Sequence, residues 1–221
     1  MRYWFSFVFP WLLALWFLQM LVFRLVFRRK KDLALSPPRP RLVSLGLALA
    51  ALIIILLPAG GIPLGRWIAG LNLLPGIPLL CLLFGSVWRK SFGNDLFRPN
   101  DTLAGWVFGA LAGTLLYPFS MGLGAFDPYA WGWGFSALFP VMALSTLYLI
   151  WKQSSFGLVL LLSIVAYDLR CLESSNFWDY LIDPVYWLFS LIVLVRHAFK
   201  SFAIRKPRPS LERTCPSMNL K

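Results

Sequence analysis

Charged residues divide the chain into long uncharged runs, and this alternation is the main structural signal in the sequence. A helix needs roughly 17–25 apolar residues to cross about 30 Å of hydrocarbon. The first five runs are long enough, whereas the last two, with 15 and 12 residues, are short. The pattern predicts an all-α, polytopic transmembrane bundle of about seven spans. The uncharged runs are 3–23, 42–65, 67–88, 102–126, 128–151, 153–167 and 184–195.

The run 67–88 leaves two topologies open, because glycines and prolines interrupt it between residues 70 and 78. It either crosses the membrane fully or re-enters on the same side. Seven spans with an outside N-terminus place a net charge of +14 inside and −2 outside, which sums to the +12 of the chain. A re-entrant segment would put the basic C-terminal tail outside. Since cytoplasmic loops carry the excess of Lys and Arg, we predict seven spans and a cytoplasmic C-terminus.

The composition agrees with this topology and excludes several classes of protein. The chain is 59% hydrophobic and 14% charged, well below the about 25% charged residues of soluble domains. A soluble enzyme, a nucleic-acid-binding domain and a disulfide scaffold are therefore excluded. We interpret the net charge of +12 as the cytoplasmic bias of a bacterial-type inner-membrane protein. Three widely spaced cysteines without a C-x-x-C pair predict neither a metal site nor a cofactor.

Two basic segments, one after the first apolar run and one at the C-terminal end, bear on how the chain is organised. The cluster 28–31 follows the first apolar run, which predicts a retained span instead of a cleaved signal peptide. The last residues are rich in Lys and Arg. We predict one transmembrane helical domain, 1–204, followed by a basic cytoplasmic tail, 205–221.

Sequence patterns also predict where helices begin and how they pack. Asp127-Pro128 and Asp183-Pro184 each place a capping carboxylate before a proline, so we expect them to begin the fifth and seventh spans. Three small residues share one face of the fourth span and predict close helix packing, either inside the bundle or between two copies. These residues are Gly105, Gly109 and Gly113.

The loop between the sixth and seventh spans is the candidate binding region. It holds four of the nine acidic residues of the chain, interleaved with aromatic side chains. Because ionisable groups near membrane depth usually pair or mark function, we predict that Asp168 and Arg170, with Asp179 or Asp183, line an outward-facing polar cavity. The alternative is a salt-bridge cluster that only fixes the loop. The candidate binding residues are Asp127, Asp168, Arg170, Glu173, Trp178, Asp179, Tyr180 and Asp183.

No complete catalytic motif occurs in the sequence. There is no P-loop and no H-E-x-x-H, and the single histidine, His197, is predicted at the opposite side of the membrane from the acidic loop. We therefore expect an accessory or complex subunit that presents this loop to a partner or envelope component. Its expected partners are the lipid bilayer and other membrane proteins or a second copy, and not nucleic acid. The alternative is a small enzyme or carrier acting on a lipid-linked or sugar substrate at the outer leaflet.

Overall fold

A computed structural model describes residues 5–33, 40–72 and 75–205, and the chain is mostly helical, as predicted. Within this described part of the chain, a two-stranded hairpin and a 3-10 helix, Pro128–Gly132, interrupt the helices. The basic tail predicted at 205–221 falls outside the described residues from 206 onward. The helices are α1 (Phe5–Leu33), α2 (Pro40–Leu56), α3 (Leu64–Leu71), α4 (Ile77–Phe92), α5 (Pro99–Ser120), α6 (Leu138–Trp151), α7 (Ser155–Asp168), α8 (Trp178–Leu181) and α9 (Pro184–Arg205).

Two stretches of the described helices are long and apolar enough to cross a membrane: Phe7–Leu25 in α1, and α5. Three more are apolar but shorter, namely Arg41–Leu56, α6 and α7. Length and composition alone therefore support two crossing helices, fewer than the seven expected. They are a weak indication of membrane association, because the core helix of a soluble protein or a signal sequence has the same properties.

Three uncharged runs are divided differently from the prediction. The run 42–65 ends its helix at Leu56 and continues into a hairpin, β1 (Pro58–Ala59) and β2 (Ile62–Pro63). The two residues that connect these strands, Gly60 and Gly61, have φ angles of 62° and 85°. Glycine adopts such angles at low cost, so the pair forms the tight turn.

The run 67–88 is not one helix. It contains the end of α3, which stops at Leu71, and most of α4, which begins at Ile77. The run 128–151 is also divided, because Asp127 caps the 3-10 helix and α6 begins only at Leu138. In contrast, the helix of the last run is longer than the run itself. It is α9, which continues past Arg196 and Lys200 and has 22 residues.

The glycine stripe of α5 packs inside the chain. A Cβ atom at Gly109 would lie 2.7 Å from the Tyr186 ring, and one at Gly113 would lie 2.5 Å from Trp187, both on α9. At Gly105 the neighbours are Leu82 of α4 and Phe156 of α7, at 3.2 Å. The absence of side chains thus lets α5 and α9 approach closely. This face is occupied and is not free for a second copy.

A buried polar contact connects the first, second and fourth helices. The Gln19 amide of α1 donates to Ser44 of α2 at 3.3 Å and to Ser91 of α4 at 3.0 Å. All three side chains are buried. Hydrogen bonds of this kind hold helices together where the surroundings are apolar.

The connecting segments meet at two opposite ends of the bundle. We use the name acidic end for the group formed by residues 57–72, 75–76, 121–137 and 168–183. The basic end comprises residues 89–101, 152–154 and 196–201, together with Arg24 and Arg41. At the basic end, Asp101 accepts hydrogen bonds from the Ser154 hydroxyl at 2.6 Å and the Ser155 backbone at 3.1 Å.

Candidate functional site

Three loops converge at the acidic end, which contains all eight candidate binding residues. A single β-bridge joins Trp133 to Asn176, and the Phe177 N–H donates to the Gly132 carbonyl at 2.8 Å. The turn between α3 and α4 approaches from the other side and contacts Asp183. The loop 168–183 is therefore held on both sides by segments distant in sequence.

Asp183 is a structural carboxylate at the start of α9. Its side chain is 3% exposed and accepts 2.8 Å hydrogen bonds from the Tyr186 backbone, the Asn72 amide and the Gly76 backbone. The bond from Tyr186 is the helix cap expected from Asp183-Pro184. Burial raises the pKa of Asp183 to about 6, although the hydrogen bonds from Tyr186, Gly76 and Asn72 act in the opposite direction.

Asp179 is also bound within the chain. It accepts hydrogen bonds from the Tyr129 hydroxyl, at 3.1 Å, and from the Ser174 hydroxyl. Burial and the neighbouring Asp179 carboxylate raise the pKa of Tyr129 to about 12, so the phenol stays protonated and donates. Asp179 thereby connects the 3-10 helix to the loop before α8.

The two aromatic candidate binding residues, Trp178 and Tyr180, are buried. The Trp178 indole N–H donates to the Pro128 carbonyl at 2.8 Å. The Tyr180 hydroxyl accepts from the Leu172 N–H at 3.2 Å and lies 3.0 Å from the Ser174 carbonyl. Trp178 is 4% exposed and Tyr180 is 0% exposed. Their faces are therefore closed to a ligand.

Asp127 is the third carboxylate of the acidic end that has hydrogen-bond partners in the chain. It accepts from the Tyr129 backbone at 2.9 Å and from the Ser120 hydroxyl at 3.3 Å. These contacts begin the 3-10 helix, as a capping residue does. Asp127, Asp179 and Asp183 thus fix the loops.

Asp168, Arg170 and Glu173 remain exposed at the acidic end. Within the described residues, neither a hydrogen bond nor an ion pair holds these side chains. Asp168 and Arg170 line a cavity of about 240 Å³, without Asp179 or Asp183. The cavity is also lined by Gly134, Phe135, Tyr167, Ser174 and Ser175. The charged residues predicted to line one cavity are therefore in two groups. Asp168 and Arg170 line the cavity, whereas Asp179 and Asp183 are hydrogen-bonded elsewhere.

The backbone at Arg170 is unusual. Its φ angle is 50°, in the left-handed region that favours glycine. The Arg170 N–H donates to the Tyr167 carbonyl and that of Cys171 to the Ala166 carbonyl, which together close the end of α7. After this turn the chain continues into the loop that forms part of the wall of the 240 Å³ cavity.

Sequence reasoning missed several residues of this site. Asn72 and Gly76 lie in the interrupted third run, more than 100 positions from the carboxylate that they bind. Asn176 was part of the loop but not proposed as a site residue, although its amide donates to the Tyr129 carbonyl at 3.0 Å. The signal available for Asn72 is that it is a polar residue in an apolar run, three positions before the helix-breaking Pro75-Gly76.

The described stretches do not contain three His, Cys, Asp or Glu side chains grouped so that they could hold a metal ion. The structure thus defines a mostly helical protein with two helices able to cross a membrane and a hydrogen-bonded acidic end. Comparison of the chain with protein-family models, curated proteins and solved structures gives no match.

Proposed function

We propose that the chain is a multi-pass protein of a bacterial-type inner membrane and serves as a non-catalytic accessory or complex subunit. In this proposal α1, α2, α4, α5, α6, α7 and α9 each cross once. The acidic end faces outside and the basic end faces the cytoplasm. An exposed face of the acidic end binds a partner protein.

The apolar surface of the helices supports the membrane location. More large apolar side chains are exposed than buried on the described part of the chain. Only 28% of the Phe7–Leu25 window and 33% of the α5 window are buried, so neither is a core helix. Soluble monomers rarely expose apolar patches of more than a few hundred Å².

The short helices carry the same outward apolar faces. On α6 the exposed residues Leu144, Leu147 and Trp151 recur at helical spacing, and Leu158, Leu162 and Val165 do so on α7. Helices of 14 residues rise about 21 Å, less than the about 30 Å of hydrocarbon. Bilayer thinning and the flanking interfacial aromatic residues compensate for such a mismatch.

The distribution of charge supports the orientation. Among the described side chains, the basic end has eight Lys and Arg and two Asp, a net charge of +6. The acidic end has two Arg, Arg66 and Arg170, against five carboxyl groups, a net charge of −3. A basic cytoplasmic side is the normal arrangement in inner membranes.

Reporter fusions test this topology. We expect cytoplasmic activity for fusions after residues 95, 153 and 221, and outside activity for fusions after residues 124 and 173. A fusion at residue 221 that is active only outside would overturn the orientation.

The binding role rests on one observation: three of the five carboxylates of the acidic end accept hydrogen bonds from groups of the same chain. Asp127, Asp179 and Asp183 are bound by donors of the same chain. An acid–base pair needs a carboxyl group free to exchange its proton with a substrate. The bound carboxylates instead make a firm support for the exposed residues next to them.

The exposed face contains Phe135, Asp168 and Glu173, and we call it the presenting face. Phe135 is 82% exposed and lines the same cavity as Asp168. Glu173 is exposed in the loop 168–183 that forms the other wall of this cavity. An exposed aromatic side chain beside unpaired carboxylates fits a partner with a basic, partly apolar surface. The occupant proposed is therefore a protein segment rich in Lys or Arg on the outer side of the membrane.

Site-specific photo-crosslinking tests the presenting face. A crosslinker at Phe135 and one at Glu173 should each capture the same protein, whereas one at Leu147, an exposed position within α6, should not. Asp168→Lys should reduce both adducts, because it reverses a charge that the partner contacts. A chain that extracts in mild detergent as a solitary monomer, with no adduct from either position, would contradict the proposal.

A second function is favoured by the cavity of about 240 Å³. Its hydroxyl groups, Asp168 and Arg170 could bind a sugar or a lipid-linked sugar, beside the exposed ring of Phe135. This hypothesis predicts that Asp168→Asn abolishes function while expression, folding and the Glu173 adduct remain normal. The partner hypothesis predicts that the adduct decreases together with function.

A further inference from the structure

A second cavity, of about 270 Å³, lies between α1, α4, α5 and α9 at the basic end. It is distinct from the presenting face and lies at the opposite end of the bundle. Its inner walls include the apolar side chains of Leu82 and Phe189 and the rings of Trp16 and Trp106. The rim carries Arg89, Asp95, Arg196 and Thr102.

The cavity changes from apolar to charged along the helix axes. Trp16 lies at the centre of the Phe7–Leu25 window, and its indole N–H is satisfied by the Ser86 hydroxyl at 3.1 Å. On α9 the lining runs from Phe189 through Ile192 to Arg196, a rise of about 10 Å. An occupant would thus have its apolar part at hydrocarbon depth and its polar part at the basic end.

The two arginines at the rim are incompletely neutralised. Among the described residues that line the cavity, Asp95 is the only one with a carboxylate; its oxygen lies 3.7 Å from Nε of Arg89. Both side chains of that pair are more than half exposed, and such exposed pairs contribute little energy. Arg196 has no ion-pair partner among the described side chains. The rim therefore keeps a net positive charge.

We propose that this cavity binds one anionic phospholipid of the cytoplasmic leaflet. Arg89 and Arg196 bind the phosphate of the headgroup, and part of an acyl chain packs against Leu82, Trp106 and Phe189 in the cavity. Basic pockets between transmembrane helices on the cytoplasmic side recognise anionic headgroups in this way. The inference rests on the membrane location proposed above, but not on any role of the presenting face.

The test is lipid competition on the full-length protein in mild detergent. The protein is delipidated, given equal amounts of phosphatidylglycerol and phosphatidylethanolamine, and examined by native mass spectrometry. We expect one bound phosphatidylglycerol, preferred by about tenfold over the zwitterionic lipid. Equal retention of both lipids, or displacement by excess inorganic phosphate alone, would overturn the proposal. This arm uses the wild-type chain and does not depend on any variant folding.

Variants identify the site. Arg89→Gln combined with Arg196→Gln should abolish the preference, and Ile192→Trp should lower retention by filling the cavity while both arginines remain. Arg98→Gln is the matched control, because Arg98 is an exposed arginine of the same end that does not line the cavity. If Arg98→Gln lowers the preference as much as the double variant, the general charge of the basic end is responsible and the site is refuted. If the reporter fusions confirm the topology while lipid retention fails, only the lipid site is lost.

Discussion

The Asn72 side chain donates a 2.8 Å hydrogen bond to Oδ1 of Asp183, across 111 positions of the chain. Asn72 ends α3, whereas Asp183 precedes α9. The second carboxylate oxygen accepts from Gly76, next to the start of α4. One buried carboxylate therefore holds three helices in a fixed arrangement at the acidic end.

Removing the amide donor should destabilise the protein. In Asn72→Ala the buried Asp183 carboxylate loses one of three donors, and a hydrogen bond to a charged group contributes about 1.5–3 kcal/mol. We expect a lower thermal unfolding midpoint in detergent, measured by circular dichroism. Asn100→Ala is the control, because Asn100 is exposed on α5. Equal midpoints for the two variants would contradict this role of Asn72.

The raised pKa of Asp183, about 6, predicts a pH dependence of stability. The ordinary value for Asp is about 3.9, so between these values the folded state binds more protons than the unfolded state. The free energy of unfolding therefore falls as pH rises from about 4 to about 6 and is level above. Asp183→Asn lacks this titration. Unfolding midpoints measured from pH 4 to pH 7.5 should decrease more steeply for the wild type than for this variant; parallel curves would exclude Asp183 as the cause.

The close packing at the glycine stripe of α5 predicts that adding a single methyl group there destabilises the protein. In Gly109→Ala the new Cβ would lie 2.7 Å from the Tyr186 ring, so α5 and α9 must separate, at a cost of about 1–3 kcal/mol. Gly46→Ala is the matched control, because that helical glycine has no neighbouring atom within 4 Å of the new Cβ. The control should instead stabilise α2 by about 0.5–1 kcal/mol. Opposite changes in the unfolding midpoint are expected, and a midpoint unchanged by Gly109→Ala would argue against close α5–α9 packing.

Variants at two helix ends distinguish the effect of backbone strain on stability from an effect on partner binding. Arg170 follows α7 and Gln153 follows α6, with φ angles of 50° and 54°. This conformation costs a residue other than glycine about 1–2 kcal/mol. Both Arg170→Gly and Gln153→Gly should therefore raise the unfolding midpoint. Only Arg170→Gly should also strengthen the Glu173 crosslink, because it removes a positive charge beside the carboxylates that bind the basic partner. An equal gain of the crosslink in Gln153→Gly would show that the removed guanidinium charge is not the cause.

Local rules predicted part of the acidic end correctly. Asp183 before Pro184 was expected to cap a helix, and it does so through the Tyr186 N–H. Asp127 also acts as a cap, but of a 3-10 helix, because Trp133 of the following segment pairs with Asn176 instead of continuing a helix. Capping depends on a few consecutive residues, whereas the length of the capped helix depends on what its backbone meets in the fold.

The sequence by itself determined the helical class of this protein, the positions of most helices and the separation of acidic from basic segments. These properties follow from the spacing of apolar and charged residues, which acts locally along the chain. Only the tertiary structure decided which polar residues are free. Trp178 and Tyr180 are buried while Phe135 is exposed, and Asp183 meets Asn72 rather than Arg170. The reason is that these contacts join residues far apart in sequence, and their partners are set by how the helices pack.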